Sequence, residues 1–150
     1  MRAVVQRVAH ARVTIGGEVS GAIGPGYCVF LGVGQQDTRA EADRLLAKML
    51  KLRIFADGEG KTNLSIRDVD GALLVVSQFT LYADCRKGNR PSFTDAGAPE
   101  AAEELYRYFV NRAREELGTS RVATGEFGAD MRVELANDGP FTVWLDTASL

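Results

Sequence analysis

The longest run of strand-forming residues in this chain is Ala72–Tyr82, which contains Leu, Val, Phe, Thr and Tyr in close succession. β-branched and aromatic residues fit a half-buried pleated surface, so the run predicts a strand. A second run, Tyr27–Val33, is apolar on both faces, which is typical of a strand covered on two sides. The fold must therefore bury a sheet beneath other elements, and few architectures satisfy that requirement.

Two segments have the apolar spacing of long amphipathic helices. The first is predicted over residues 38–52, where Asp37 or Thr38 caps the helix and Glu41 completes a capping-box pattern. The second is predicted over residues 99–117. Two helices among many strands indicate an α+β class in which helices cover one side of a sheet or an open barrel.

The remaining strands are short and separated by turn residues. They are predicted at residues 2–8, 10–15, 19–23, 53–55, 120–126, 130–136 and 141–146. Asp138-Gly139-Pro140 separates the last two of them. We expect a mostly antiparallel sheet or open barrel with two main helices packed on it, formed by a single domain over residues 1–150.

The composition excludes several kinds of site. His10 is the only histidine, Cys28 and Cys85 are the only cysteines, and the net charge is −2. One chain cannot assemble a His-rich or Cys-rich zinc site from these residues, and a Ser-His-Asp triad would have to use His10, which lies in a strand-like run. Neither a P-loop nor a dinucleotide-binding fingerprint is present. We expect no cofactor and no metal.

The chain has no segment typical of export or membrane insertion. Its first residues interleave Arg with apolar side chains, and its longest strongly apolar stretch is Tyr27–Val33. Cys28 and Cys85 do not form a disulfide framework. We expect a cytoplasmic protein without a membrane partner.

Polar residues interrupt the long apolar run at Ser77-Gln78-Phe79-Thr80. Buried hydroxyl and amide groups need a hydrogen-bonding partner, so this segment is a candidate ligand site. The alternative is that the strand simply emerges from the sheet there. Strand geometry predicts Ser77 and Phe79 on one face and Gln78 and Thr80 on the other.

A second candidate is Asn137–Thr142, which contains Gly139-Pro140. A hairpin turn is the ordinary interpretation, but Pro fits poorly in a tight two-residue hairpin, and a cis Gly-Pro bond is a reasonable alternative. Arg7 lies within an apolar strand, where its guanidinium needs a structural or site partner.

Two further candidates are a basic loop and a glycine-flanked aromatic. Arg86, Lys87 and Arg90 cluster in a polar loop and can attract phosphate even in a chain of net charge −2, unless they are ordinary solvated surface. Phe127 and Met131 can form an apolar surface for a base or ring, or a hairpin packed on the core.

Together these segments resemble the D-aminoacyl-tRNA deacylases of the bacterial and eukaryotic type, also called D-tyrosyl-tRNA deacylases. The resemblance covers the whole chain and is carried by the motifs Met1–Val8, Gly32–Gly34, Ser77–Tyr82, Lys87–Phe93, Thr124–Met131 and Asn137–Thr142. One departure is Phe141, where the family more often has a small β-branched residue. It leaves Gly139 and Pro140 intact.

The resemblance implies a homodimer that hydrolyses the ester between a D-amino acid, or glycine, and the terminal adenosine of tRNA. It implies that Ser77, Gln78, Phe79 and Thr80 line the catalytic pocket. Gly139 and Pro140, joined by a cis bond and oriented by Arg7, would enter the pocket of the opposite subunit and exclude L side chains. Phe127 and Met131 would contact the adenosine. The positive charge of Arg86, Lys87 and Arg90 makes their loop a candidate contact with the rest of the tRNA.

The chemistry implied by this family fits a chain without a well-placed histidine. An aminoacyl ester is already activated, so backbone N–H groups near Phe79 and Thr80 and the substrate's 2′-hydroxyl are sufficient candidates for the catalytic groups. Thr80 as a covalent nucleophile is the second alternative, because the sequence shows no base for it. Two other classes remain open: a non-enzymatic RNA-binding module and a hydrolase of a different small acyl ester. DNA is not an expected partner.

Overall fold

The structure, a computed structural model, describes residues 1–150 and contains two long helices and eight strands. The helices are α1 (Arg39–Lys51) and α2 (Pro99–Leu117). The strands are β1 (Arg2–Ile15), β2 (Glu18–Ile23), β3 (Gly26–Gly32), β4 (Phe55–Ala56), β5 (Thr62–Leu64), β6 (Ala72–Ser77), β7 (Val122–Thr124) and β8 (Arg132–Asp146). Short 3₁₀ helices lie at Phe79–Tyr82, Thr119–Arg121 and Thr147–Ser149.

One six-stranded sheet dominates the molecule, and β1 is its central element. The order is β2-β1-β3-β6-β7, with β8 also paired to β1. The three pairings of β1 are antiparallel, whereas β3–β6 and β6–β7 are parallel. The hydroxyl of Ser20 on β2 donates to the carbonyl of Thr124 on β7 at 3.3 Å, so the two ends of the sheet nearly close a barrel. The predicted α+β open barrel is therefore confirmed, with a mixed sheet.

Both helices form where the apolar spacing predicted them. Thr38 caps α1 and forms the capping box with Glu41. The apolar stripes of α1 and α2 are buried against the sheet in a core cluster of 26 residues. A second cluster of six residues, which includes Val8, Cys28 and Val76, fills the inside of the curled sheet. Neither helix has the length and apolar character needed to cross a membrane.

The predicted break between two strands at Asp138-Gly139-Pro140 is wrong, because β8 runs continuously from Arg132 to Asp146. It stays paired with β1 on both sides of this segment. Between the pairs Gln6–Thr142 and Val8–Asn137, β8 uses more residues than β1, so the intervening residues bulge out of the ladder. The predicted strands 2–8 and 10–15 are likewise one strand, β1.

The predicted strand Ala72–Tyr82 is correct only as far as Ser77. The neighbouring strand β3 ends at Gly32, and the last pair of the ladder is Leu31 with Ser77. Beyond it, Gln78 N–H still donates to Leu31 O at 2.8 Å, and the chain then turns into the 3₁₀ helix Phe79–Tyr82. The predicted alternation of Ser77–Thr80 between two strand faces is therefore wrong.

The turn between β2 and β3 depends on Gly26, and this gives a stability prediction. Gly26 has φ +156°, and a Cβ placed there would lie 1.9 Å from the carbonyl oxygen of Ala72. We expect Gly26→Ala to lower the free energy of unfolding by about 3 kcal/mol, because the clash is with backbone and the conformation disfavours L residues. Urea denaturation measures the change.

Gly24→Ala is the matched control. It lies two residues earlier, and a Cβ there has no atom within 4 Å. We expect its midpoint to stay close to that of the parent protein. Equal stability of the two variants would contradict the assignment of Gly26 as the tightly packed position.

Candidate functional site

The largest set of the predicted site residues lies around one pocket of about 300 Å³ at the end of β6. Ser77, Gln78 and Phe79 form one wall. The segment Phe127–Met131 forms the other. Two segments that are about fifty positions apart in the sequence thus meet across a cavity with apolar walls and polar edges. Sequence reasoning did not single out Val76, Val133 or Asp130, which also line the pocket.

The 3₁₀ helix that follows Gln78 is held from two sides. The hydroxyl of Tyr82 donates to Asp37 at 3.0 Å, and the guanidinium of Arg2 lies 4.3 Å from the centre of the Tyr82 ring. Arg2 also donates to the carbonyl of Leu81 at 3.0 Å. Burial and the Asp37 carboxylate raise the pKa of Tyr82, so this hydroxyl remains a neutral donor. The 3₁₀ helix, which supplies Phe79 to the pocket wall, is therefore attached to β1 and to the segment just before α1.

Thr80 lies just after the residues that line the pocket, and its hydroxyl accepts a hydrogen bond from the amide Nε2 of Gln78 at 2.5 Å. An amide is not a base, so this contact does not activate Thr80 as a nucleophile. Cys28 is also excluded as a nucleophile, because it lies in the core and burial raises the pKa of its thiol to about 12. His10 is exposed on β1, opposite Ala136 of β8.

Backbone N–H groups remain available as hydrogen-bond donors at the start of the 3₁₀ helix, beside the pocket. The first helical hydrogen bond of the 3₁₀ helix joins Leu81 N–H to Gln78 O at 3.2 Å. The N–H groups of Phe79 and Thr80 precede it, and the first N–H groups of a helix have no acceptor within the helix. Such donors stabilise negative charge that develops on a nearby oxygen.

Tyr106 of α2 connects the two walls of the pocket. Its hydroxyl donates to the carbonyl of Val75 at 2.8 Å, and its ring lies 5.8 Å from that of Phe127. Burial raises the pKa of Tyr106 to about 12, so the hydroxyl stays protonated and keeps this bond at neutral pH. One helix side chain thus fixes both β6 and Phe127.

Gly139, Pro140 and Arg7 lie away from this pocket, at the bulge of β8. The Gly139–Pro140 peptide bond is cis, and both residues are exposed. Arg7 Nε donates to the carbonyl of Asp138 at 2.9 Å, and its guanidinium lies 4.8 Å from the ring centre of Phe141. It also donates to the carbonyl of Ile54. Arg7 therefore holds the bulge against β1 and the segment before β4.

Glycine is required at position 139 for two reasons. Its φ is +137°, which L side chains rarely adopt, and a Cβ there would lie 3.0 Å from Nη2 of Arg7. On the C-terminal side of the bulge, the Phe141 N–H donates to Oδ1 of Asn137 at 2.6 Å. The exposed tip is thus a stiff piece of backbone rather than a loose loop.

The basic loop projects from the same end of the molecule as the pocket. Asp84 and Ser92 close it with two backbone hydrogen bonds of 2.7 and 2.9 Å. Phe93 packs edge-on against Phe79, with ring centres 5.1 Å apart. This contact links the loop to the pocket wall, and sequence reasoning did not identify it although Phe93 belongs to one of the quoted motifs.

The three cations of the loop differ in their partners. Arg86 donates from two nitrogens to Asp84, at 2.9 and 2.6 Å, and its side chain holds the pKa of Asp84 down at about 2. Lys87 and Arg90 are exposed and make no ion pair within the chain. They are therefore the more available cations for a phosphate ligand. The structure gathers no group of three or more His, Cys, Asp or Glu side chains that is suited to a metal.

Comparison with known proteins gives consistent matches along nearly the full length. Residues 4–146 match a family model described as D-Tyr-tRNA(Tyr) deacylase. A relative from Variovorax paradoxus, named D-aminoacyl-tRNA deacylase, is 60% identical over 148 residues, which are 99% of this chain and 100% of the relative. A second of the same name, from Thermosipho melanesiensis, is 54% identical over 147 residues, covering 98% of this chain and 97% of the relative.

Two solved structures share the fold. One, described as c-Myc DNA Unwinding Element Binding Protein, has a TM-score of 0.93 at 44% identity and covers 97% of this chain and 98% of its own. The other, described as a probable eukaryotic D-amino acid tRNA deacylase, has a TM-score of 0.84 at 19% identity and covers 96% of this chain and 97% of its own. At that identity the second match speaks for the fold alone.

The contacts of Arg7 predict how the bulge responds to its loss. We expect Arg7→Met to speed amide exchange of Asp138, Gly139 and Phe141 by about tenfold or more, because charged hydrogen bonds of this kind contribute roughly 1.5–3 kcal/mol. Hydrogen–deuterium exchange followed by mass spectrometry measures the effect on the peptide that contains the bulge.

Arg12→Met is the matched control on the same strand. Arg12 pairs with Glu134 at the surface and has no contact with the bulge. We expect unchanged exchange at residues 138–141 in this variant. Protection of the bulge that survives loss of Arg7 would contradict its role as the anchor.

Proposed function

Since the chain belongs to the D-Tyr-tRNA(Tyr) deacylase family and is therefore an enzyme that deacylates D-aminoacyl-tRNA, we propose that it also hydrolyses glycyl-tRNA, rejects L-aminoacyl-tRNA and works in chiral proofreading in the cytoplasm. The observation that carries the proposal is the separation of two site elements in one chain. The pocket of Ser77–Phe79 is built from β6 and Phe127–Met131, while Gly139-Pro140 stands exposed on the bulge of β8.

In the proposed assembly two copies of the chain combine these elements. The rigid bulge of one subunit enters the pocket of its partner and narrows it with backbone atoms. Exposed aromatic residues support such an interface, because Phe79, 58% exposed, and Phe93, 37% exposed, lie in contact beside the pocket. Contiguous exposed apolar side chains are typical of surfaces that a partner covers.

The bulge would act as a chirality filter by exclusion. Backbone has no rotamers through which a clash can relax, so a backbone wall penalises an L side chain more strictly than a side-chain wall would. Carbonyl oxygens at the tip would accept hydrogen bonds from the substrate's ammonium group. Glycine has no side chain for the wall to reject, which is why glycyl-tRNA is an expected substrate.

Hydrolysis would proceed without a protein nucleophile. The N–H groups of Phe79 and Thr80 would stabilise the oxyanion that forms when water attacks the ester carbonyl. The 2′-hydroxyl of the terminal ribose would orient that water. Phe127 and Met131 would hold the adenine ring, and the loop cations would bind tRNA phosphates, so that no resident cofactor or metal enters the scheme.

The decisive experiment measures deacylation of three aminoacylated tRNAs and then the activity of mixed dimers. We expect release of the amino acid from D-Tyr-tRNA and Gly-tRNA and none from L-Tyr-tRNA. A subunit with its pocket disabled by Gln78→Ala and Phe79→Ala is then paired with one carrying Gly139→Ala and Pro140→Ala.

If the filter acts in trans, the single intact pocket of the mixed dimer faces the single intact bulge, and one D-selective site survives. Complete loss of D-selective activity in folded mixed dimers would mean that pocket and filter belong to the same subunit.

The absence of a base beside Thr80 predicts a mild effect of its removal. We expect Thr80→Ala to keep kcat/KM for D-Tyr-tRNA within about tenfold of the parent enzyme, since loss of a true nucleophile costs several orders of magnitude. Steady-state deacylation assays measure the ratio. An acyl ester trapped on Thr80 during turnover would overturn the proposed chemistry.

The loop cations predict a change in salt dependence. We expect the pair Lys87→Gln and Arg90→Gln to weaken tRNA binding and to reduce the slope of log K against log salt concentration by about 0.7–0.9 for each lost phosphate contact. Filter binding at several salt concentrations measures the slope.

Arg86→Gln serves as the comparison, because Asp84 already offsets its charge. We expect this variant to change the slope less than either unpaired cation does. A slope that is the same in the double variant and the parent would assign Lys87 and Arg90 to ordinary surface.

A further inference from the structure

A second cavity of about 450 Å³ lies beside the pocket and has no role in the scheme above. α2 supplies one wall, and the segment Thr124–Phe127 supplies the other. Phe127 lines both cavities, so the two adjoin at this side chain. We call the second cavity the α2 cavity.

Arg114 of α2 lines the α2 cavity and has no partner within the chain. The residue is half-buried, its guanidinium forms no ion pair, and its shielded Nε makes no hydrogen bond. The neighbouring guanidinium of Arg107, by contrast, is paired with Glu103 at 2.6 Å. A guanidinium without a carboxylate partner is available to an anionic ligand, and its planar N–H groups fit phosphate in a bidentate manner.

The opposite wall carries a carboxylate that also has no ion-pair partner. Glu126 is exposed, makes no ion pair, and directly precedes Phe127. A carboxylate accepts hydrogen bonds from an exocyclic amino group of a base, and cytosine presents such a donor at N4 where uracil presents an acceptor. Tyr106 and Val110 also line the cavity and supply apolar surface to it.

We propose that the α2 cavity binds the penultimate nucleotide of the tRNA, the cytidine that precedes the terminal adenosine. Arg114 binds the phosphate that joins this cytidine to the terminal adenosine, and Glu126 accepts a hydrogen bond from the cytosine amino group. The inference rests on the proposed function, which puts the terminal adenosine against Phe127 and Met131. Consecutive nucleotides are joined by one phosphodiester, and two cavities that share Phe127 match that connection.

Binding of short probes that carry no aminoacyl group tests the assignment without any deacylation step. We expect the parent protein to bind the dinucleotide CpA about tenfold more tightly than adenosine and about tenfold more tightly than UpA, a contrast typical of one specific base or phosphate contact. Arg114→Gln is expected to bind CpA no better than adenosine. Glu126→Gln is expected to bind CpA and UpA alike, because an amide both accepts and donates.

Lys48→Gln is the control for net charge. Lys48 is exposed on α1, makes no ion pair and lies outside both cavities. We expect it to keep the preference of the parent protein for CpA. Equal affinities of the parent protein for CpA and adenosine would overturn the assignment, as would a loss in Arg114→Gln that affects adenosine and CpA equally.

An activity comparison separates this inference from the proposed function. We expect Arg114→Gln to raise KM for D-Tyr-tRNA about tenfold while leaving hydrolysis of the 3′-D-Tyr ester of adenosine unchanged, since that ester lacks the penultimate nucleotide. Equal effects on both substrates would assign Arg114 to the pocket itself and overturn the inference. If the parent enzyme deacylates neither substrate, the proposed function fails, and the dinucleotide titration still decides the base preference.

Discussion

The pairing of β1 with β8 is the constraint on which the rest of the molecule depends. β1 is paired along both edges, with β2 and β3 on one side and β8 on the other. A strand bound on both edges cannot slide, because a one-residue shift would move Val5 and Val8 out of the two different core clusters to which they belong. The extra residues of β8 therefore have to leave the ladder, and they leave it opposite Arg7, the residue that anchors them.

The other half of the site depends on the end of a strand rather than its middle. β6 ends where its pairing with β3 ends, and the backbone then turns into the 3₁₀ helix Phe79–Tyr82. α2 stabilises that turning point through the hydroxyl of Tyr106, which binds the carbonyl of Val75, and through its ring, which packs near Phe127. The buried face of α2 thus sets the distance between the two walls of the pocket.

The sequence predicted those features that depend on local patterns. The stripes of α1 and α2 and the Thr38 cap follow from spacing within a few residues, and they formed as expected. The predictions were wrong where contacts with residues far away in the sequence determine the secondary structure. Phe79–Tyr82 has strand-forming residues but no neighbouring strand, and Asp138-Gly139-Pro140 has the composition of a turn but is held in register by β1. The motifs identified the members of the candidate site, but their division between a pocket and a distant bulge depends on these nonlocal contacts.

That division has a consequence for fidelity in the proposed dimer. If the same bulge both excludes L side chains and receives the ammonium group, a dissociated subunit loses both functions together. The pocket of an isolated subunit would then bind D and L aminoacyl esters alike, but only weakly. It would therefore not hydrolyse L esters freely. A filter carried on the pocket's own chain would give no such protection, because a dissociated subunit would keep both the filter and the proposed N–H donors of Phe79 and Thr80. If selection and substrate binding both reside on one backbone segment of the partner, loss of selectivity would coincide with loss of activity.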